Sequence, residues 1–167
     1  MVSRVYVEKK PGFDGEAKQL KEELRRCIDE GFTGFSLEYQ PQLGLGDCTV
    51  YGAEALLRFT SPRKGRVSPA EFIPLLEQNG LICEVGLWVL KETLQACKKW
   101  REVMPGLHVS VNMSYVQLTQ ESIEEDVLEV LRSSGLPGDA LTIEVTESMQ
   151  LQDYPYLNKI FHRWKEA

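Results

Sequence analysis

Three short segments each carry one oxygen-bearing side chain that could hold a cation: Glu54 in GAEALLRF, Asn112 in VSVNMS and Glu144 in LTIEVTES. In each segment apolar and polar residues alternate, the period of a β-strand whose successive side chains point to opposite faces. Ala53, Ala55, Leu57 and Phe59 share one face of the first, and Glu54, Leu56 and Arg58 the other. Val109, Val111 and Met113 oppose Ser110, Asn112 and Ser114, while Leu141, Ile143 and Val145 oppose Thr142, Glu144 and Thr146. Two carboxylates and an amide carbonyl suit a hard divalent cation such as Mg, Mn or Ca, and with no Cys or His beside them they do not suit zinc. Arg58 lies on the Glu54 face, four residues on, where a guanidinium can grip a phosphate with two donors. A competing reading pairs Glu54 and Glu144 with Arg58 or with lysines near the strand ends, since structural ion pairs also gather carboxylates. Spacing alone leaves both readings open.

The elements that would position these groups follow from periodicity and punctuation. Residues 1–19, with Pro11, Gly12 and Gly15, read as a linker or the tail of a preceding domain. A lead-in helix over about 17–32 shows Leu20, Leu24, Cys27 and Ile28 at helical spacing. Phe35, Leu37 and Tyr39 then alternate in a strand that Pro41 is expected to end. Ser68-Pro69-Ala70-Glu71 has the pattern of a capped helix start, Asn79-Gly80 a stop, and a second helix follows with Leu90, Leu94, Cys97 and Trp100 on one stripe. A helix near Ser122–Ser134 stops at Gly135, and Leu157, Ile160, Phe161 and Trp164 form a last helical stripe. Strands alternating with helices imply parallel pairing with helical crossovers. The fold class is therefore α/β, a partial TIM-like barrel of about four strands with flanking helices, since a full barrel of eight such units takes about 250 residues. Carboxyl ends of barrel strands form the active-site face, where Glu54, Asn112 and Glu144 would meet.

Composition narrows the partners. The 167 residues carry a net charge of -6, and without an uncompensated basic cluster they do not read as a binder of nucleic-acid polymers. Cys27, Cys48, Cys83 and Cys97 are too dispersed for a zinc site or a disulfide framework and read as reduced thiols. No stretch approaches the ~18 apolar residues that a membrane helix needs, so no membrane contact is expected of this segment. His108 and His162 lack a nucleophile placed to form a triad, and Trp88, Trp100 and Trp164 fall on or beside helical core stripes.

Wording is more specific than spacing. Tyr39-Gln40-Pro41, Glu54-Ala55-Leu56-Leu57-Arg58, SPAEFIPLLEQNGLI, WVL, VSVNMS, QL and IEVTES occur in the order and near the spacing of the EAL domain family, which the sequence resembles from roughly residue 20 to 167. That resemblance implies a TIM-like barrel that hydrolyses cyclic di-GMP, a bacterial signalling molecule, to the linear dinucleotide with two Mg or Mn ions. It implies that Glu54, Asn112 and Glu144 bind one metal, with Glu54 taking part in catalysis through it. Gln40, Leu56 and Arg58 would touch the nucleotide, Arg58 at a phosphate, and Glu147 would steady the catalytic loop from behind the metal ligands. The family pattern continues with an Asp-Asp pair for the second metal, a lysine that activates water, a further Glu and a Gln-Gly segment, none of which follows here. The expectation is the N-terminal part of a cytoplasmic phosphodiesterase domain, truncated before its second half, inactive alone and prone to self-association as a dimer. The alternative is a non-catalytic module that binds cyclic di-GMP or a protein.

Overall fold

A strand with one apolar face needs a layer against that face alone, and this chain supplies it with helices on one side of one sheet. The computed structural model describes residues 13–46, 48–145 and 154–165. Its strands are β1 (Phe35–Leu43), β2 (Val50–Ser61), β3 (Gly65–Val67), β4 (His108–Met113) and β5 (Leu141–Val145). The helices are α1 (Phe13–Asp29), α2 (Pro69–Gln78), α3 (Leu81–Arg101), α4 (Tyr115–Leu118), α5 (Ile123–Ser134) and α6 (Tyr154–Lys165), with a 3-10 turn over Gly138–Ala140. The sheet order is β1-β2-β4-β5, with β3 attached to β2. β2, β4 and β5 run parallel through helical crossovers, and β1 pairs antiparallel with β2. The sheet does not close, so the fold is the expected open portion of an α/β barrel.

The apolar faces identified from alternation are the buried ones. Ala55, Phe59, Val109 and Val111 are at most 3% exposed, and they meet Leu24, Phe72, Leu76, Leu90 and Leu94 from the helices. Trp88 stacks on Phe32 at 5.2 Å, Trp100 meets Tyr39 edge-on, and the Trp164 indole N–H donates to the Glu124 carbonyl, so all three tryptophans serve packing. The four cysteines are unpaired, with Cys48 exposed. Burial pushes the Cys83 and Cys97 thiols above their ordinary range.

Several expectations need correcting. Helix α1 begins at Phe13 and ends at Asp29, so residues 13–19 are helical rather than linker, and residues 30–32 form a turn. Gly31 and Phe32 take positive φ there, which stops the helix and delivers Phe32 to Trp88. Pro41 does not end β1, which runs on to Leu43 with Pro41 opposite Ala53. β1 is an edge strand, where a missing N–H need not break a ladder bond. Ser68 starts α2 through its carbonyl, which accepts from the Glu71 and Phe72 N–H groups, but its hydroxyl makes no capping bond. β3 and α4, of three and four residues, are too short for periodicity to reveal.

Gly34 joins α1 to the sheet. Its φ is +78°, and a Cβ there would lie 2.6 Å from the Thr60 carbonyl oxygen, so only glycine lets the chain pass this close to β2. Phe72→Ala, at a fully buried site, is expected to cost roughly 3–5 kcal/mol in urea unfolding, through lost burial and the cavity left behind. The outer edge of β5 has no strand partner among the described residues. Unpaired edges invite pairing with another copy, so a dimer mass is expected in light scattering at high concentration, and a strictly monomeric species would contradict it.

Candidate functional site

Register decides which side chains share the face away from the helices. Gln40 lies opposite Glu54, Glu54 beside Ser110, and Asn112 beside Glu144. Glu38 is opposite Leu56, and Arg58 follows two residues later on the same face. Gln40, Glu54, Leu56, Arg58, Asn112 and Glu144 therefore all stand on one face, as alternation implied. Glu147 and Thr146 lie outside the described residues.

Glu54 and Asn112 touch: the Asn112 Nδ2 donates to Glu54 Oε1 at 2.6 Å, diagonally across β2 and β4. Glu144 is the lateral neighbour of Asn112 on β5. Neither Glu54 nor Glu144 has an ion-pair partner among the described residues. Arg58 turns instead to β1, where its Nε donates to Glu38 Oε2 at 2.7 Å, and its NH1 donates to the Leu57 carbonyl at 3.0 Å. Arg66 on β3 donates to the other oxygen of Glu38 at 2.7 Å. The hydrogen bond from Arg58, aided by the charges of both arginines, holds the Glu38 carboxyl below its usual range. Glu38 and Arg66 escaped the sequence reading, because their partnership spans three strands and leaves no local spacing.

The donor set fits a hard cation. An asparagine amide carries an acceptor beside its donor, so a half-turn of the Asn112 amide presents oxygen where nitrogen now faces Glu54. The set is two carboxylates and one amide; no cluster of three or more His, Cys, Asp or Glu gathers among the described residues.

A cleft of about 300 Å³ opens beside this face, between the sheet, α2 and α3. β2 pairs with β4 only over Gly52–Ala55 and with β3 only from Phe59, so the strands part at Leu56–Arg58. Leu56, Arg58 and Asn112 line it together with Ile73, Val85 and Gln117. Gln117 is 4% exposed, and its Oε1 accepts from the Ser114 N–H at 3.0 Å, which fixes the turn just after Asn112. Its amide lies against bare backbone at Gly86, where a Cβ would meet Nε2 at 1.9 Å.

Comparison with known proteins agrees with this fold. The model of the EAL domain matches residues 21–167. The chain belongs to the EAL domain family. Among curated relatives, it is 34% identical over 142 residues to the bifunctional diguanylate cyclase/cyclic di-GMP phosphodiesterase MucR of Pseudomonas aeruginosa, covering 83% of this chain and 20% of MucR. It is also 34% identical over 135 residues to the cyclic di-GMP phosphodiesterase PA2567 of the same organism, covering 80% of this chain and 23% of that protein. The EAL chain thus spans about a fifth of the length of the curated relatives it matches. The structure of the MucR phosphodiesterase in complex with c-di-GMP superposes with a TM-score of 0.82 at 30% identity, over 89% of this chain and 60% of that one. The FimX EAL domain of Xanthomonas citri, also in complex with c-diGMP, shares the fold at a TM-score of 0.75 and 21% identity, over 92% of this chain and 58% of that one.

Two measurements test the site's construction. Gly86→Ala is expected to push the Gln117 amide from its seat and break its hold on the Ser114 N–H, read as a shift of both amide signals in NMR. A carboxyl titration of Glu38 by NMR is expected to give a midpoint below 4.5, its ordinary value. Because the folded-state pKa is depressed, the pairing stabilises the protein above the ordinary glutamate range and is lost as pH falls through the lower folded value.

Proposed function

We propose that this chain is the N-terminal part of a cyclic di-GMP phosphodiesterase domain, in which Glu54, Asn112 and Glu144 bind a divalent cation, Mg or Mn, beside the nucleotide. The observation that carries the reading is Glu54, hydrogen-bonded to Asn112 and left unpaired by an arginine on its own face of its own strand. A cation bound there would act as a Lewis acid on a phosphoryl oxygen. The chain's own residues bind and orient: Arg58 presents a guanidinium to the phosphodiester, Leu56 offers apolar contact in the cleft, and Gln40 offers an amide from the row of Glu54. Glu147, three residues beyond Glu144, is proposed to support the loop that follows β5. The 167 residues contain no Asp-Asp pair, so binding without turnover is expected of them alone. The same reading puts the domain in the cytoplasm, whether or not the parent protein is anchored in a membrane elsewhere.

Titration calorimetry of the 167-residue chain with cyclic di-GMP and Mn is expected to show binding that Glu54→Ala removes. Fusing the second half of the domain, from MucR, is expected to yield hydrolysis to the linear dinucleotide, and Glu54→Ala in that fusion should abolish it. Turnover by the 167-residue chain alone would overturn the partial-domain reading. Metal-independent binding with no turnover by the fusion would favour a binding module instead.

A further inference from the structure

The face that carries the proposed site also holds an ion-pair cluster that the roles above leave unexplained. Glu38 reaches from β1, Arg58 stands on β2, and Arg66 reaches from β3, so one carboxylate accepts from two guanidiniums on different strands. β3 lies along the opposite edge of β2 from β1, since Phe59 pairs with both Phe35 and Val67, and Arg66 therefore crosses over β2 to reach Glu38. The cluster holds two positive charges against one negative.

The two arginines are held differently. Arg58 is 20% exposed and is fixed at two donor sites, Nε on Glu38 and NH1 on the Leu57 carbonyl, while NH2 has no partner among the described residues. Arg66 is 67% exposed and rests on Glu38 alone among the described residues. An exposed pair of this kind contributes little to stability and is readily exchanged for a stronger anion. Glu38 also decides where Arg58 is held. Arg58 lies four residues beyond Glu54, roughly 13 Å along the strand at about 3.3 Å per residue, and Glu38, diagonal to it on β1, is the carboxylate it meets.

We propose that Glu38 is the positioning residue that fixes Arg58 and aims its free NH2 at the ligand's phosphodiester, with Arg66 a second guanidinium that moves from Glu38 to the same anion on binding. This rests on the cyclic dinucleotide reading above. It makes the anion site a pair of arginines organised by one carboxylate, with Arg58 fixed in place and Arg66 free to transfer.

Arginine Nε–Hε spectra of the full 167-residue chain, with calorimetry using cyclic di-GMP and Mg, test it. In the free protein the Arg58 Hε signal is expected to be protected from exchange, absent in Glu38→Gln and partly recovered in Glu38→Asp. Cyclic di-GMP should shift the Arg66 signal. Glu38→Gln and Arg66→Gln should each weaken binding roughly tenfold, the size of one lost charge-assisted contact. Arg66→Gln alters an exposed side chain, so its affinity reads the site even if a Glu38 variant is unstable. Loss of the Arg58 signal in Glu38→Gln with affinity unchanged overturns this inference and leaves the proposed function standing. An Arg58 signal that survives Glu38→Gln, or an Arg66 signal unmoved by ligand, overturns it as well. No binding by the unaltered chain overturns the proposed function, and the inference with it.

Discussion

Every candidate functional side chain in this structure depends on one constraint: a strand presents alternate residues to opposite faces, and the helices cover only one of them. Ala55, Val111 and Ile143 go to the helices, so Glu54, Asn112 and Glu144 have to face the other way. Three strands far apart in sequence thereby deliver one group each to a common surface, with parallel register setting the rows. A slip of one residue in β4 would bury Asn112 under α3 and expose Val111. The core that stabilises the sheet is thus also what keeps the site in register.

Within that frame the strands do not pair evenly, and the unevenness leaves a cleft. β2 leaves β4 after Ala55 and takes up β3 at Phe59, and the residues between are Leu56, Leu57 and Arg58. A fully laddered sheet would have no cleft there. Gln117, clasped to Gly86 on one side and to the Ser114 N–H on the other, sets how far the far wall of this opening stands from Asn112. Close packing of α4 on α3 and separation in the sheet are complementary parts of one arrangement.

Much of this was legible in the residues. The alternation in GAEALLRF, VSVNMS and LTIEVTES named the shared face, and helical stripes such as Leu90, Leu94 and Cys97 named what lies against its reverse side. The contacts between elements were hidden. Arg58 looked like the natural partner of Glu54 because both lie on one strand, whereas the partner it takes, Glu38, stands across β1 in a register that no local pattern encodes. Pro41 looked like a strand end because the rule for prolines depends on whether the strand is central or at an edge, which is a property of the assembled sheet. Phe32 looked helical by position, and its positive φ makes sense only once Trp88 is there to receive it.

The antiparallel entry of β1 has a consequence for how such a domain can be altered. Because β1 runs against β2, the loop that joins them, after Leu43 and before Val50, lies at the end of the sheet opposite the carboxyl ends of β2, β4 and β5. Leu45 in that loop is fully exposed, so the backbone there carries little of the core. Extra residues spliced into it would lengthen a hairpin tip while leaving the rows of Glu54 and Asn112 in register. The loop is a natural port for a reporter or an added domain, at the far end of the sheet from the groups proposed to hold a cation and a nucleotide and joined to them by two continuous strands.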